Sequence, residues 1–188
     1  NAFAYTNKVV ALSPIVYFPL AEPSGNTMID ESGNARNGVY GATTAHPTLG
    51  VTGIGDGRTA ASFDGGDFGN ALTAALTAAY TGGELTIACW AIVSAAGVWT
   101  DGAIRRCMEL LNIDGNNELY FAKNSTNNQV LVAYTAGGTA KTIGFTTSSL
   151  VWNHYAVTAS KTADALKLYV NGVQQGATGT GLGTWTAG

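Results

Sequence analysis

Three carboxylates in MELLNIDGNNEL are the first candidates for chemistry: Glu109, Asp114 and Glu118. Cleaving a glycosidic bond needs an acid and a nucleophile or base on one face, about 5–10 Å apart. Glu109 and Asp114 are separated by five positions, so a regular strand turns them to opposite faces. Asp114 also sits beside Gly115 and Asn116, the company of a turn residue. Glu118 shares parity with Asp114 rather than Glu109, and lies across that turn. No hydrolytic pair forms, and the chain is expected not to be an enzyme. His154, inside WNHYAV, has no Ser or Cys motif to serve as a general base, and His46 before Pro47 reads as a loop residue.

A second cluster offers oxygen. In YFPLAEPSGNTMIDESGNARNGVY, residues 17–40, the side chains of Asp30, Glu31, Asn34 and Asn37 could fill part of a calcium shell. Asp64 and Asp67, in FDGGDF, form a second oxygen-rich turn. Asp30, Asn34 and Asp64 are therefore the candidate ligands of a structural calcium. The spacing matches no dedicated calcium loop, however, and Asp and Asn also build turns on their own backbone. An ordered bridge between two strands is the plainer alternative.

Two cysteines, Cys89 and Cys107, flank AAGVWTDG symmetrically. If that segment is a hairpin tip, the sulfurs face each other across two strands and can bridge. Otherwise both are free thiols acting as small apolar side chains. Neither cysteine joins His46 or His154 in a recognisable zinc spacing. The same hairpin tip would expose Trp99 beside Asp101, a platform for the apolar face of a sugar. Trp185, near the end of the sequence, could extend that surface, while Trp90 and Trp152 read as core. The candidate ligand contacts are Trp99, Asp101 and Trp185.

The elements that must position these residues are strands. Charged residues make up only 11% of the 188, and Ala, Thr, Ser, Asn and 25 Gly take their place, a composition suited to strands and turns. ELTIACWAIV reads as a central strand covered on both faces, with IRRCMELLNI as its partner. ELYFA, QVLVAYT, KTIGFT, VWNHYAVTAS and LKLYVNGVQQG follow at short intervals, and Asn171-Gly172 is the strongest hairpin signal. Asn70 to Tyr80 is the best helical stretch. One antiparallel β-sandwich is predicted over residues 15–188, preceded at 1–14 by an arm or edge strand. The nine basic residues are scattered, so no stripe exists for nucleic acid, and no apolar run is long enough to enter a membrane.

The order of six segments resembles a known family. YFPL, IDESGNARNGVY, AASFDGGDF, LTIACWAIV, WNHYAVTAS and LKLYVNGV succeed one another as in the concanavalin A-like lectin/glucanase superfamily, closest to its laminin-G-like branch. The resemblance spans Ile15 to Gly176. It implies a jelly-roll sandwich, a structural role for the histidine of W-x-H-x-A-x-T and, in many relatives, a bound calcium. It also implies a closing strand, which would begin at GLGTWTAG, where the sequence stops. That strand is expected from the missing continuation or from a neighbouring chain packed on residues 176–188. Two functions fit. One is a recognition or structural domain, extracellular or on a virion surface, packing with other subunits such as those of a phage tail fibre and contacting glycan or protein. The other is a stand-alone carbohydrate-binding lectin-like module.

Overall fold

The computed structural model describes residues 4–71, 73–80, 82–111 and 116–186. The contacts group the chain into two compact units, Asn1–Tyr80 and Thr81–Gly188, where a single sandwich over 15–188 was expected.

The first unit opens with helix α1, Ala4–Val10, in the segment expected as an arm or edge strand. Its strands are short: β1 (Thr27–Met28), β2 (Gly38–Tyr40), β3 (Thr48–Thr52), β4 (Thr59–Ser62) and β5 (Gly69–Asn70). They form an antiparallel sheet in the order β1-β2-β5 and a separate β3-β4 pair. Met28 seats against Gly38 and Gly69, where an added Cβ would collide with its side chain. Helix α2, Ala74–Ala79, starts where Thr73 Oγ1 accepts the N–H of Leu76 at 3.1 Å. It covers only part of the helical stretch expected from Asn70, because Asn70 ends β5; Leu72 lies outside the described residues.

The second unit is the sandwich. One sheet has the order β13-β12-β11-β6 and the other β10-β9-β8-β7. The strands are β6 (Glu84–Ala91), β7 (Arg105–Leu111), β8 (Glu118–Lys123), β9 (Gln129–Ala136), β10 (Thr139–Thr146), β11 (Asn153–Ser160), β12 (Ala165–Val170) and β13 (Val173–Gly179). All pairings are antiparallel. β9 and β11 alternate strictly between buried and half-buried residues, the signature of strands with one face on a core. Leu119, Phe121, Val132 and Tyr134 from one sheet meet Tyr155, Val157, Leu166 and Leu168 from the other. The Phe121 and Tyr155 rings stand 4.7 Å apart between centroids.

The sandwich bears out several local readings. β11 is internal to its sheet, between β12 and β6. Asn171 and Gly172 both have positive φ, 50° and 81°, as a two-residue turn between β12 and β13 requires. The pairing of β6 is a correction. It was expected to be central and hydrogen-bonded to β7, yet it ends the order of its sheet and pairs with β11. β7 belongs to the facing sheet, where it pairs with β8. Residues 92–104 therefore cross one end of the sandwich instead of turning a hairpin.

Candidate functional site

That crossing explains why two expectations fail. Trp99 lies in a 3-10 turn, Ala96–Thr100, and is 2% exposed. Its Nε1 donates to the Ser149 carbonyl at 3.1 Å, and its own carbonyl accepts the N–H of Asn128 at 2.9 Å. The indole plugs the end of the core where the chain passes between sheets, so it is no exposed platform for a sugar. Asp101 is exposed, but its carboxylate accepts from Lys123 Nζ at 2.6 Å and from Arg105 at 2.6 Å. Lys123, 3% exposed, also reaches the Ala103 carbonyl at 3.0 Å. The Lys123 ammonium first, then the Ala103 amide and Arg105, hold the Asp101 carboxyl well below the usual range.

The cysteines stand on strands of opposite sheets and are free thiols. Cys89 pairs with Tyr155, while Cys107 sits where the β7–β8 register slips between Arg106 and Met108. The hairpin pairing that was expected to set the two sulfurs opposite each other is absent, because β6 pairs with β11 and β7 with β8. Burial pushes the Cys89 thiol up, away from thiolate chemistry.

Trp185 is half-buried and packs within its own unit, 6.0 Å from the Tyr134 ring. The segment around it is fastened to the same chain. Asp164 accepts the N–H groups of Gly181 and Leu182 at 2.8 and 2.7 Å. Asn117, fully buried, accepts the N–H groups of Gly137 and Thr186 at 3.0 Å each. Gly181, Leu182, Trp185 and Thr186 thus have partners inside the sandwich. Residues 187 and 188 lie outside the described residues.

The carboxylates read for hydrolysis are tied up as well. Arg106 pairs with Glu109 and, at 3.3 Å, with Glu118, and lies over the Tyr120 ring at 4.6 Å. Asp114 lies outside the described residues. His154 is half-buried with its ring 5.3 Å from that of Trp90, and burial lowers its pKa.

The oxygen-rich loop is organised around Asp30. One carboxylate oxygen accepts the N–H groups of Tyr17 and Ser32, the other the Ser32 hydroxyl and the Arg36 N–H, all at 2.9 Å. Burial alone would raise the pKa of this carboxyl, but these donors outweigh it and lower it. Asn37 accepts the Asp30 N–H, and Asn34 Nδ2 reaches the carbonyls of Pro14 and Ile15. Glu31 forms a two-bond pair with Arg58, at 3.0 and 2.9 Å. Asp64 sits in its own turn, accepting the Gly66 N–H at 2.8 Å. A carboxylate ringed by N–H groups presents hydrogen, not further oxygen, to any cation. Among the described residues no three His, Cys, Asp or Glu side chains gather as a metal site. The donor set around Asp30 does not suit calcium.

Sequence reasoning missed a groove of about 610 Å³ in the first unit. Pro19, Pro23 and Ile29 supply apolar surface, and Ser24, Asn26 and Thr27 supply neutral polar groups. Glu22 frames it, accepting the Ile29 N–H at 2.8 Å and the Tyr40 hydroxyl at 2.7 Å. The Glu31–Arg58 pair closes another side. No local sequence pattern points to it, since Glu31 and Arg58 stand 27 residues apart.

Among the described residues of the second unit, the exposed large apolar ones are Ile92, Ile104, Leu150, Val151 and Val173. Ile92 follows β6, Val151 precedes β11, Ile104 precedes β7, and Val173 follows the Asn171-Gly172 turn. All five lie at the end of the sandwich that Trp99 plugs.

No helix among the described residues is long and apolar enough to cross a membrane. No curated protein matches the chain. A solved structure of mouse laminin alpha1 chain, domains LG4-5, is similar over 56% of this chain at 10% identity, with a TM-score of 0.44. The match spans 26%, about a quarter, of the length of that structure. A laminin-G family model, described as the concanavalin A-like lectin/glucanases superfamily, matches residues 64–188. With two thirds of its length under that model, the chain belongs to the concanavalin A-like lectin/glucanases superfamily.

Proposed function

We propose that the chain is a non-catalytic recognition domain, outside the cell or on a virion surface, which packs in a larger assembly and contacts glycan or protein. The observation that carries this reading is the groove of the first unit, large enough for a ligand and lined by neutral polar and apolar groups. The spent carboxylates support a non-catalytic role, since Glu109 and Glu118 both neutralise Arg106. The exposed apolar side chains at one end of the sandwich, with Leu150 and Val151 adjacent in sequence, support packing in an assembly. A stand-alone lectin-like module is the second reading, favoured by the hydroxyl and amide groups of Ser24, Asn26 and Thr27 in the groove.

Light scattering separates the two. The assembly reading expects an oligomer that a Leu150→Lys, Val151→Lys variant converts to monomer. A wild-type chain that stays monomeric at high concentration removes it in favour of the lectin-like module. For recognition itself, the intact chain is screened on glycan and peptide arrays, with Ser24→Trp to fill the groove. Binding that survives Ser24→Trp places recognition elsewhere. Release of reducing sugar from β-glucan that vanishes in Glu109→Gln overturns the non-catalytic role.

A further inference from the structure

We infer that the groove of the first unit receives an extended, uncharged peptide, which adds one strand position to the outer edge of β1 at Thr27. The inference rests on the recognition reading and names the partner class of its groove.

β1 is the outermost strand in the order β1-β2-β5. Tyr40 donates its N–H to the Asn26 carbonyl at 2.8 Å, which makes Asn26 and Tyr40 a hydrogen-bonded pair. Antiparallel ladders alternate, so the next pair, Thr27 and Val39, exchanges no bond between β1 and β2. Val39 turns instead towards Asn70 on β5. Thr27 must then turn its N–H and C=O away from the sheet, and neither group has a partner among the described residues. Thr27 is exposed and lines the groove. A donor and an acceptor on one residue, facing open space, match the acceptor and donor of an added strand.

The neighbouring backbone is already spent, which limits the added strand to this position. Glu22 takes the outward N–H of Ile29, and the His46 ring, through Nε2, lies 3.0 Å from the Gly25 carbonyl. The groove therefore frames a single two-bond bridge instead of a long edge open to aggregation. Its charge pattern selects the side chains. Glu31 and Arg58 neutralise each other in two bonds, and both oxygens of Glu22 are engaged. A charged peptide side chain would find no free counter-ion here and would lose hydration on entry. Small polar or apolar side chains fit Ser24 and Asn26 on one hand, and Pro19, Pro23 and Ile29 on the other.

The test uses the intact 188-residue chain and an array of uncharged heptapeptides, with a glycan array in parallel. The strongest peptide is then titrated by calorimetry. Thr27→Pro removes the outward N–H and no bond internal to the sheet, so affinity should fall at least tenfold. N-methylation of single peptide amides should produce one position with the same loss, which a side-chain contact would not show. Amide spectra of Tyr17, Ser32 and Arg36 check that the first unit remains folded. If Thr27→Pro unfolds it, Ser24→Trp blocks the groove without touching a ladder bond. Peptide binding that both variants leave unchanged overturns the inference. Glycan binding lost in Ser24→Trp, with no peptide bound, also overturns it while leaving the recognition reading intact. An absence of both ligands defeats the two together.

Discussion

The two units are held together by different physics. In the first, Met28 and Tyr40 are the large apolar side chains buried among the described residues, and polar cross-links do most of the organising. Asp30 gathers four donors from residues 17–36, and Glu22, Arg58 and Asn34 each tie separate stretches of chain. In the second, a continuous apolar core runs between two sheets, and polar groups serve its ends: Asn117, Asp164 and Lys123. Hydrogen bonds are directional, so a polar-linked unit can hold an open groove in a defined shape. A core closes every space it can, which suits a scaffold. Recognition is accordingly expected in the first unit and rigidity in the second.

The largest expected effect breaks the scaffold. Trp99→Ala leaves a cavity at the end of the core and an unpaired Ser149 carbonyl, and should cost about 3–5 kcal/mol. The four tryptophans, Trp90, Trp99, Trp152 and Trp185, all belong to the second unit, so tryptophan fluorescence reports its unfolding separately. The fluorescence midpoint in denaturant should drop sharply, while exchange of the Tyr17, Ser32 and Arg36 amides stays as it was. A Trp99→Ala protein with an unshifted midpoint would return the indole to the surface and undo the account of the crossing.

The converse experiment strikes the polar unit. Asp30→Ala strands the N–H groups of Tyr17, Ser32 and Arg36, a loss of about 2–3 kcal/mol local to the loop. Those amides should exchange faster with the fluorescence midpoint unchanged. The pH dependence has a definite sign. Because the folded pKa is lowered, the contribution of Asp30 is complete above the ordinary carboxylate value of about 3.9 and disappears as pH falls through the folded pKa. Protection of the three amides should therefore fall on acidification, and Asp30→Asn should remove that dependence. Chelator should leave their exchange unaltered at neutral pH. Faster exchange on chelation, restored by added calcium, would reinstate an ion at Asp30.

What could be read from sequence follows the range of each interaction. The turn at Asn171-Gly172 was legible because positive φ at adjacent positions is a local demand that few residues meet. β9 and β11 were legible as short runs rich in β-branched and aromatic residues, QVLVAYT and VWNHYAVTAS, again within single strands. The partner of β6 was not, since an apolar strand followed by a turn-rich stretch and another strand fits a hairpin or a crossing equally well. Trp99 beside Thr100 and Asp101 looked like a tip for the same reason. Its burial depends on Ser149, fifty positions away. Asp30 was read as a candidate calcium ligand, but oxygen-rich side chains do not reveal whether N–H groups or a cation will face them. The groove required Arg58 to come back to Glu31 over 27 residues, which no local pattern announces.

The smallest effect expected concerns that returning pair. The side chains of Arg58 and Glu31 are 15% and 35% exposed, so solvent screens their attraction and its net worth is at most about 1 kcal/mol. The Glu31 carboxylate foremost keeps Arg58 charged, and the planar guanidinium fork makes two parallel bonds to it. Arg58→Lys preserves the charge but leaves a single point contact. If the pair is a stabiliser, the variant should lower the melting of the first unit, seen as faster exchange at Tyr17 and Arg36. If its main part is to shape and neutralise the groove wall, stability should hold within a few tenths of a kcal/mol and ligand affinity should change instead. The second outcome is expected, because backbone donors around Asp30 already hold the loop without Arg58. Loss of loop protection in Arg58→Lys with ligand affinity intact would make the pair a strut and shift recognition away from this wall.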